Sequence, residues 1–291
     1  MSRPVNEAKT YQEQVDNLIN NHGLIISDRN RAIMILSNVS YYRLSAYGIG
    51  LKQADNHELY VPGITLDHIY HLYQFDSKLR NILLPLIEAV EISFRTKLAY
   101  QLAVTYGAEG YTNAENFKDK TDRNGVSLHQ NMMEKLAAEI RHQDNLPLVK
   151  HHNTQYDGHF PIWAASELFS FGMICSLYSI CKNTDRKSVS KEYHANPQRL
   201  YGWMLALLEL RNMCAHYNRI YNMLYKQMPA LDAQYASVNG NRLFPRLVVL
   251  KGLVDNDMWH AFLENLKVLL KEYSEVNLGF MGFPSDWEEI L

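Results

Sequence analysis

The sequence predicts an all-α fold, and three observations carry the prediction. Residues 65–107 repeat their apolar side chains at intervals of three and four, the signature of a long amphipathic helix. Residues 201–210, YGWMLALLEL, contain no helix breaker except Gly202 and run directly into the polar cluster RNMCAHYNRIY. Only residues 243–254, LFPRLVVLKGLV, have strand character, and their helical neighbours favour helix there too. With 291 residues, 47% of them hydrophobic, the chain can bury one large core or two medium ones. The expected organisation is an N-terminal helical region over residues 1–63 and a helical domain over 64–291, or one continuous domain.

Along the chain, residues 9–21 and 28–38 have helical spacing, are separated by His22-Gly23, and read as a helical hairpin whose second helix is capped from Ser27-Asp28. Next comes VSYYRLSAYG (residues 39–48), in which Tyr41, Tyr42 and Arg43 either stack bases and hold a phosphate or pack a Tyr-rich helix on the core. Residues 54–63 read as a hairpin or loop. In the long helix, Thr65 is the expected N-cap, Gly107 the stop, and Pro85 a kink or a break into two helices. Glu88, Glu91 and Arg95 share a second face, either as a solvated ion-pair ladder or as support for a reactive group on a neighbouring helix. Residues 108–127 read as a connecting loop or lid, and 127–142 as an amphipathic helix. His151, His152 and His159 fall in an expected loop without acidic or thiol ligands at useful intervals, so no metal site is expected. Residues 160–172 read as one helix started by Pro161 and ended or bent by Gly172. Lys182, Arg186, Lys187 and Lys191 either track an RNA backbone or belong to a solvated linker. Pro197 starts the next helix, 227–241 is a loop, 257–273 an amphipathic helix, and the tail 279–287 packs back without regular structure.

A net charge of −2 argues against a polycationic nucleic-acid coat and leaves room for a local basic patch. The three cysteines, Cys175, Cys181 and Cys214, are odd in number and lack metal-ligand spacing, which suits a reducing cytoplasm. The N-terminal residues have no signal-peptide core, and no apolar run approaches the roughly 18 to 20 residues of a membrane span. The expectation is a cytoplasmic protein with no cofactor and no membrane segment.

The chemistry concentrates in residues 210–221. At about 100° per residue, Asn212, Ala215, His216 and Arg219 share one face, opposite a core-facing stripe of Leu207, Leu210, Cys214, Tyr217 and Tyr221. Arg211 stands about 140° around from His216, so a long arm or a local bend is needed to bring both to one phosphate. Such a trio suits metal-independent RNA cleavage: His216 moves a proton, Arg211 neutralises phosphate charge, and Asn212 orients the histidine or a phosphate oxygen. The other reading is a half-buried structural histidine and an arginine that caps a carboxylate such as Glu209. A second match, Arg123 to His129, sits in a Gly-containing polar segment and reads as a loop.

Arg211-Asn212 followed by His216 resembles the R-x(4–6)-H signature of HEPN-domain ribonucleases, which also occurs in RNA-targeting CRISPR effectors. Together with YYRLSAY (41–47), LYQFDSKLR (72–80), EAVEISFR (88–95), FPIWAASELFSFG (160–172) and RNMCAH (211–216), the chain resembles the bacterial abortive-infection family of AbiD/AbiF type, over roughly residues 32–219. The resemblance implies an all-helical, HEPN-like bundle with additional N-terminal helices. It also implies a toxin-type protein of phage defence under the control of a structured noncoding RNA. On this reading Arg211, Asn212 and His216 are catalytic, and Tyr41, Tyr42, Arg43, Arg95, Lys182, Arg186, Lys187 and Arg219 contact RNA. Because one motif supplies one histidine, a homodimer is expected to assemble the site. The alternative is a catalytically silent RNA-binding module.

Overall fold

The computed structural model describes residues 7–238 and 240–291. Residues 1–6, part of the N-terminus read for a signal sequence, and Asn239, inside the loop expected over 227–241, lie outside them. Among the described residues all regular elements are helices and every β-bridge is isolated, so the fold is all-α. The helices are α1 (Tyr11–Asn20), α2 (Arg29–Asn38), α3 (Tyr41–Ser45), α4 (Leu66–Tyr106), α5 (Leu128–His142), α6 (Pro147–Gln155), α7 (Ile162–Ala165), α8 (Phe171–Ile180), α9 (Asn183–Lys191), α10 (Pro197–Ala215), α11 (Phe244–Lys251), α12 (Asn256–Glu272) and α13 (Trp287–Ile290).

Local chemistry starts most of them. Thr10 and Glu13 exchange hydrogen bonds in a capping box at α1, Asp28 caps α2, and Asn196 with Pro197 behind it starts α10. Thr65 accepts from the His68 amide at 3.0 Å to begin α4, and Gly107 ends it at φ 82°. At 1.5 Å per residue α4 runs about 60 Å, and α3, α7, α8, α9, α10, α11 and α12 all pack on it. Pro85 does not divide it: the proline and Asn81, whose carbonyl loses its helical partner, are both exposed, so water takes over the missing bond. One connected hydrophobic core runs from Val15 on α1 to Leu291, with Phe75, Leu79, Leu83, Ile87, Phe94 and Leu98 of α4 at its centre.

Several segments depart from the sequence reading. His151 and His152 lie on α6, which Pro147 starts, and the His152 ring stacks on Phe160 at 4.8 Å between centroids. Residues 160–172 are interrupted rather than continuous: α7 and a 3-10 turn end at Phe169, and Ser170 caps α8, so Gly172 sits in a first turn. Residues 183–191 form α9 instead of a linker, with Lys182 at the N-cap, because Asp185, Arg186, Val189 and Ser190 are buried on one side. In the 210–221 stretch the helix stops at Ala215, six residues short of Tyr221.

Two charged groups are buried in the core among several partners each. Arg246 is enclosed, donating to Glu209 at 3.2 Å and to the Gln227 and Arg242 carbonyls, with its guanidinium 3.8 Å from the Tyr225 ring centre. Asp76, on α4, has no exposed surface. It accepts from Arg80, from the Tyr47 hydroxyl at 2.7 Å, and from the Ile220 and Tyr221 amides at 3.0 and 2.6 Å. Breaking such a buried pair strands its partners, so Asp76→Ala is expected to cost about 3–5 kcal/mol in urea denaturation. Tyr47→Phe, which removes one donor, is expected to cost about 1 kcal/mol. An Asp76→Ala cost no larger than that of Tyr47→Phe would show that the carboxylate does not anchor the fold.

Candidate functional site

The site is built where α10 ends. His216 is the C-cap, and its amide donates to the Asn212 carbonyl at 3.0 Å. Tyr217 follows in the left-handed region at φ 57°, its amide on the Cys214 carbonyl at 3.2 Å and the Asn218 amide on the Met213 carbonyl at 2.8 Å. This is the Schellman arrangement, normally built on glycine. Here a tyrosine occupies the position, and its ring is 70% exposed, so no packing rewards it. The turn leaves His216 exposed at the tip of the helix and sends the chain back into the core.

The return path is held by three arginines. Arg43 donates to the Tyr217 carbonyl, Arg80 to the Asn218 carbonyl at 3.3 Å, and Arg219 to the Ala46 carbonyl at 2.6 Å with its guanidinium 6.0 Å from the Tyr47 ring centre. Arg219 is therefore not on the Asn212 and His216 face: the helix ends before it, and it is half-buried, with burial holding its pKa below the usual arginine value. Tyr217, expected in the core stripe, points to solvent. Leu207, Leu210, Cys214 and Tyr221 are buried as expected. Burial pushes the Cys214 thiol up to about 12, which rules it out as a thiolate nucleophile near neutral pH.

Arg211 is oriented from α4. Its Nε lies 3.3 Å from one oxygen of Glu91, and Arg95 Nη2 donates to the other at 3.1 Å. Glu91 is only 8% exposed, so one buried carboxylate serves two cations, and Arg95 is also paired with Glu167 at 3.5 Å. The Arg211 Nη atoms extend beyond this anchor, Nη1 reaching Asn212 Oδ1 at a long 3.5 Å. Asn212 and His216 are exposed, and the His216 ring makes no hydrogen bond among the described residues. Glu91 thus supports the arginine rather than the histidine. Glu209, the carboxylate considered for Arg211, instead accepts from Arg246 and from the Lys226 and Gln227 amides at 2.9 and 3.0 Å.

The remaining candidates divide by burial. Tyr42 is 87% exposed beside Arg43. Tyr41 is half-buried, and its hydroxyl donates to His22 Nε2 at 3.2 Å, a role set by His22 Nδ1 donating to the Glu58 carbonyl at 2.8 Å. Arg95 spends its guanidinium on Glu91, Glu167 and the Phe169 carbonyl, which makes it structural. Arg186 is buried between Tyr178 and Tyr201 and donates to the Pro197 carbonyl at 3.1 Å, so it is not available to a surface ligand. Lys182 and Lys187 are exposed, but they lie toward the opposite end of α10 from His216. His129 of the second motif match is buried on the Tyr111 carbonyl at 2.8 Å, as a structural histidine. Asp76, Arg80 and Tyr47 escaped the sequence reading. The available signal was an i, i+4 charged pair on the same face as Leu72, Leu79 and Leu83.

Because glycine adopts φ 57° without strain, Tyr217→Gly is expected to raise stability by about 1 kcal/mol. A loss of stability in thermal unfolding would mean that the tyrosine ring makes contacts that matter to the folded chain.

A family model described as Abi-like protein matches residues 34–222, well over half of the chain and all of the elements that build the site. No curated protein and no solved structure gives a significant match. No helix among the described residues is long and apolar enough to cross a membrane. The matched span begins on α2, takes in the Asp76 and Glu91 anchors, and ends just after the turn at Tyr217, so the chain belongs to the Abi-like family, the abortive-infection proteins of phage defence.

Proposed function

We propose that this chain is an endoribonuclease of abortive infection whose Arg211 and His216 cleave RNA without a metal ion, under the control of a structured noncoding RNA. The observation that carries the reading is the pairing of an exposed His216, unbonded among the described residues, with an Arg211 whose Nε is tethered to buried Glu91 while its Nη atoms extend beyond that anchor beside Asn212. In the reaction, the 2′-hydroxyl of the RNA attacks the adjacent phosphorus and the 5′-oxygen leaves. A 2′,3′-cyclic phosphate and a 5′-hydroxyl result. His216 accepts the proton from the 2′-hydroxyl or donates one to the leaving oxygen, and the Arg211 fork binds the non-bridging oxygens as charge gathers on them. Asn212, exposed one residue from Arg211, is placed to hold a phosphate oxygen.

One histidine performs one of the two proton transfers, and residues 197–221 hold only His216. A homodimer that pairs the Asn212, His216 and Tyr217 surfaces around a two-fold axis supplies the second. Light scattering should then show a dimer, and an active monomer would defeat the composite site.

In excess chelator, the purified chain is expected to cleave labelled RNA. Arg211→Ala and His216→Ala should each lower the rate by about 10²–10⁴, the worth of one acid–base or charge-stabilising group. Circular dichroism should be unchanged, since both side chains lie outside the core. Loss of the helical fold in His216→Ala would make the histidine structural. RNA that co-purifies but is never cut would make the chain a binder.

Glu91 acts through Arg211 and is a positioning residue. Glu91→Gln keeps the shape but removes a charge-assisted bond, and kcat per folded molecule is expected to fall about tenfold. An unchanged kcat, with only the melting temperature lowered by the orphaned Arg95, would limit Glu91 to a role in stability.

A further inference from the structure

Lys118, Lys120, Lys182, Lys187 and Lys191 form no ion pair among the described residues, and their protein partners are neutral. Lys118 Nζ donates to Asn183 Oδ1 at 2.6 Å, Lys120 Nζ donates to the Ser179 carbonyl at 3.0 Å, and Lys182 Nζ lies 5.7 Å from the Tyr106 ring centre. The chain gathers them from two segments. The bridge between Phe117 and Cys181, with the Lys118 amide on the Ile180 carbonyl at 2.8 Å, brings residues 117–120 against the start of α9. On α9, Asn183, Lys187 and Lys191 recur every four residues, flanked by exposed Thr184 and Ser188, in a stripe without an acid. Asp185 of α9 is turned inward, accepting from the Tyr106 hydroxyl at 2.8 Å and Gln101 at 3.2 Å. The exposed acids nearest in sequence are Asp119 and Glu192.

A chain of net charge −2 that keeps five lysines on one surface segregates its charge, and uncompensated like charges repel one another unless a polyanion sits among them. The repulsion is felt at Lys118: burial, with Arg186 and Lys120 adding like charge, holds its ammonium below the usual lysine value. Scale then narrows the polyanion. α9 packs on α10, and Arg211 lies about 21 Å along α10 from Pro197. A ligand that touches both the lysines and the Arg211 end must span that length, which lies within one turn of an A-form RNA stem.

We propose that the surface made by Lys118, Lys120, Lys182, Lys187 and Lys191 binds the sugar–phosphate backbone of a structured RNA at a point remote from the Arg211 and His216 end. The inference rests on the reading of RNA as the ligand, and its test is independent of cleavage. Full-length chain carrying His216→Ala is titrated with a labelled RNA hairpin bearing single-stranded flanks, over a series of salt concentrations. K182Q/K187Q/K191Q removes three ammonium groups that hydrogen-bond nothing among the described residues. It should weaken affinity about 10- to 100-fold at low salt and flatten the slope of log K against log salt by about two to three. The melting temperature should not change. Unchanged affinity and slope overturn the proposal, as does a loss confined to vesicles of anionic phospholipid. If the wild-type chain cleaves nothing but the lysines govern salt-dependent RNA binding, the surface stands and the nuclease reading fails. If short single-stranded RNA is cut in a His216-dependent way while the lysine variant binds the hairpin normally, the nuclease reading stands and the surface fails.

Discussion

Asp76 is the contact on which the rest of the site depends. Its carboxylate is taken wholly out of water in the N-terminal third of α4, and that burial raises its pKa against the opposing pull of Arg80, Tyr47 and two backbone amides. Such a group is tolerated only when every lone pair is used, and here the donors come from three parts of the chain. Tyr47 brings the segment after α3, Arg80 belongs to α4 itself, and the Ile220 and Tyr221 amides bring the chain that has just left α10. Arg80 also donates to the Asn218 carbonyl. The same buried pair thus grips the return segment at two places, and α10 must stop early enough for that segment to reach it.

The second anchor follows from the first along the same helix. Residues 220 and 221 meet α4 at Asp76, 218 meets it at Arg80, and 211 meets it at Glu91, so the end of α10 and its return run antiparallel to α4. About four turns of α4 separate the two carboxylates. A rigid helix of this length acts as a ruler: Asp76 sets where the motif helix ends, and Glu91 sets where its arginine is held. Glu91 is shared between Arg95 and Arg211, and Arg95 is in turn fixed by the Phe169 carbonyl at 2.9 Å, which ties the site to the segment before α8.

How much of this could be read from the sequence depends on whether local chemistry or tertiary contact decided each point. The all-α class, the Thr65 cap, the Pro197 start and the apolar back of α10 were legible because propensity, periodicity and capping agree there. The end of α10 was not. A Schellman turn advertises itself by glycine or asparagine, whereas position 217 holds tyrosine, and the stop is imposed by Arg43, Arg80 and Asp76 from distant segments. Missing that stop carried Arg219 onto the reactive face and Tyr217 into the core. Arg186 was misread for the opposite reason: its neighbours are charged and polar, but Tyr178 and Tyr201 enclose its guanidinium.

A helix C-terminus is an unfavourable place to receive a phosphate, because its unpaired carbonyls carry roughly half a negative charge. The Abi-like chain offsets this with arginines. Arg43 and Arg80 bind the Tyr217 and Asn218 carbonyls just beyond the helix, which sets two positive charges beside the dipole's negative end. Arg95 is held by Glu91 and Glu167, whereas Arg211 meets Glu91 through Nε and extends its Nη atoms beyond it. In the proposed reaction the guanidinium groups of Arg43, Arg80 and Arg211 around the carbonyl end of α10 make that end acceptable to the phosphate while His216 moves the proton.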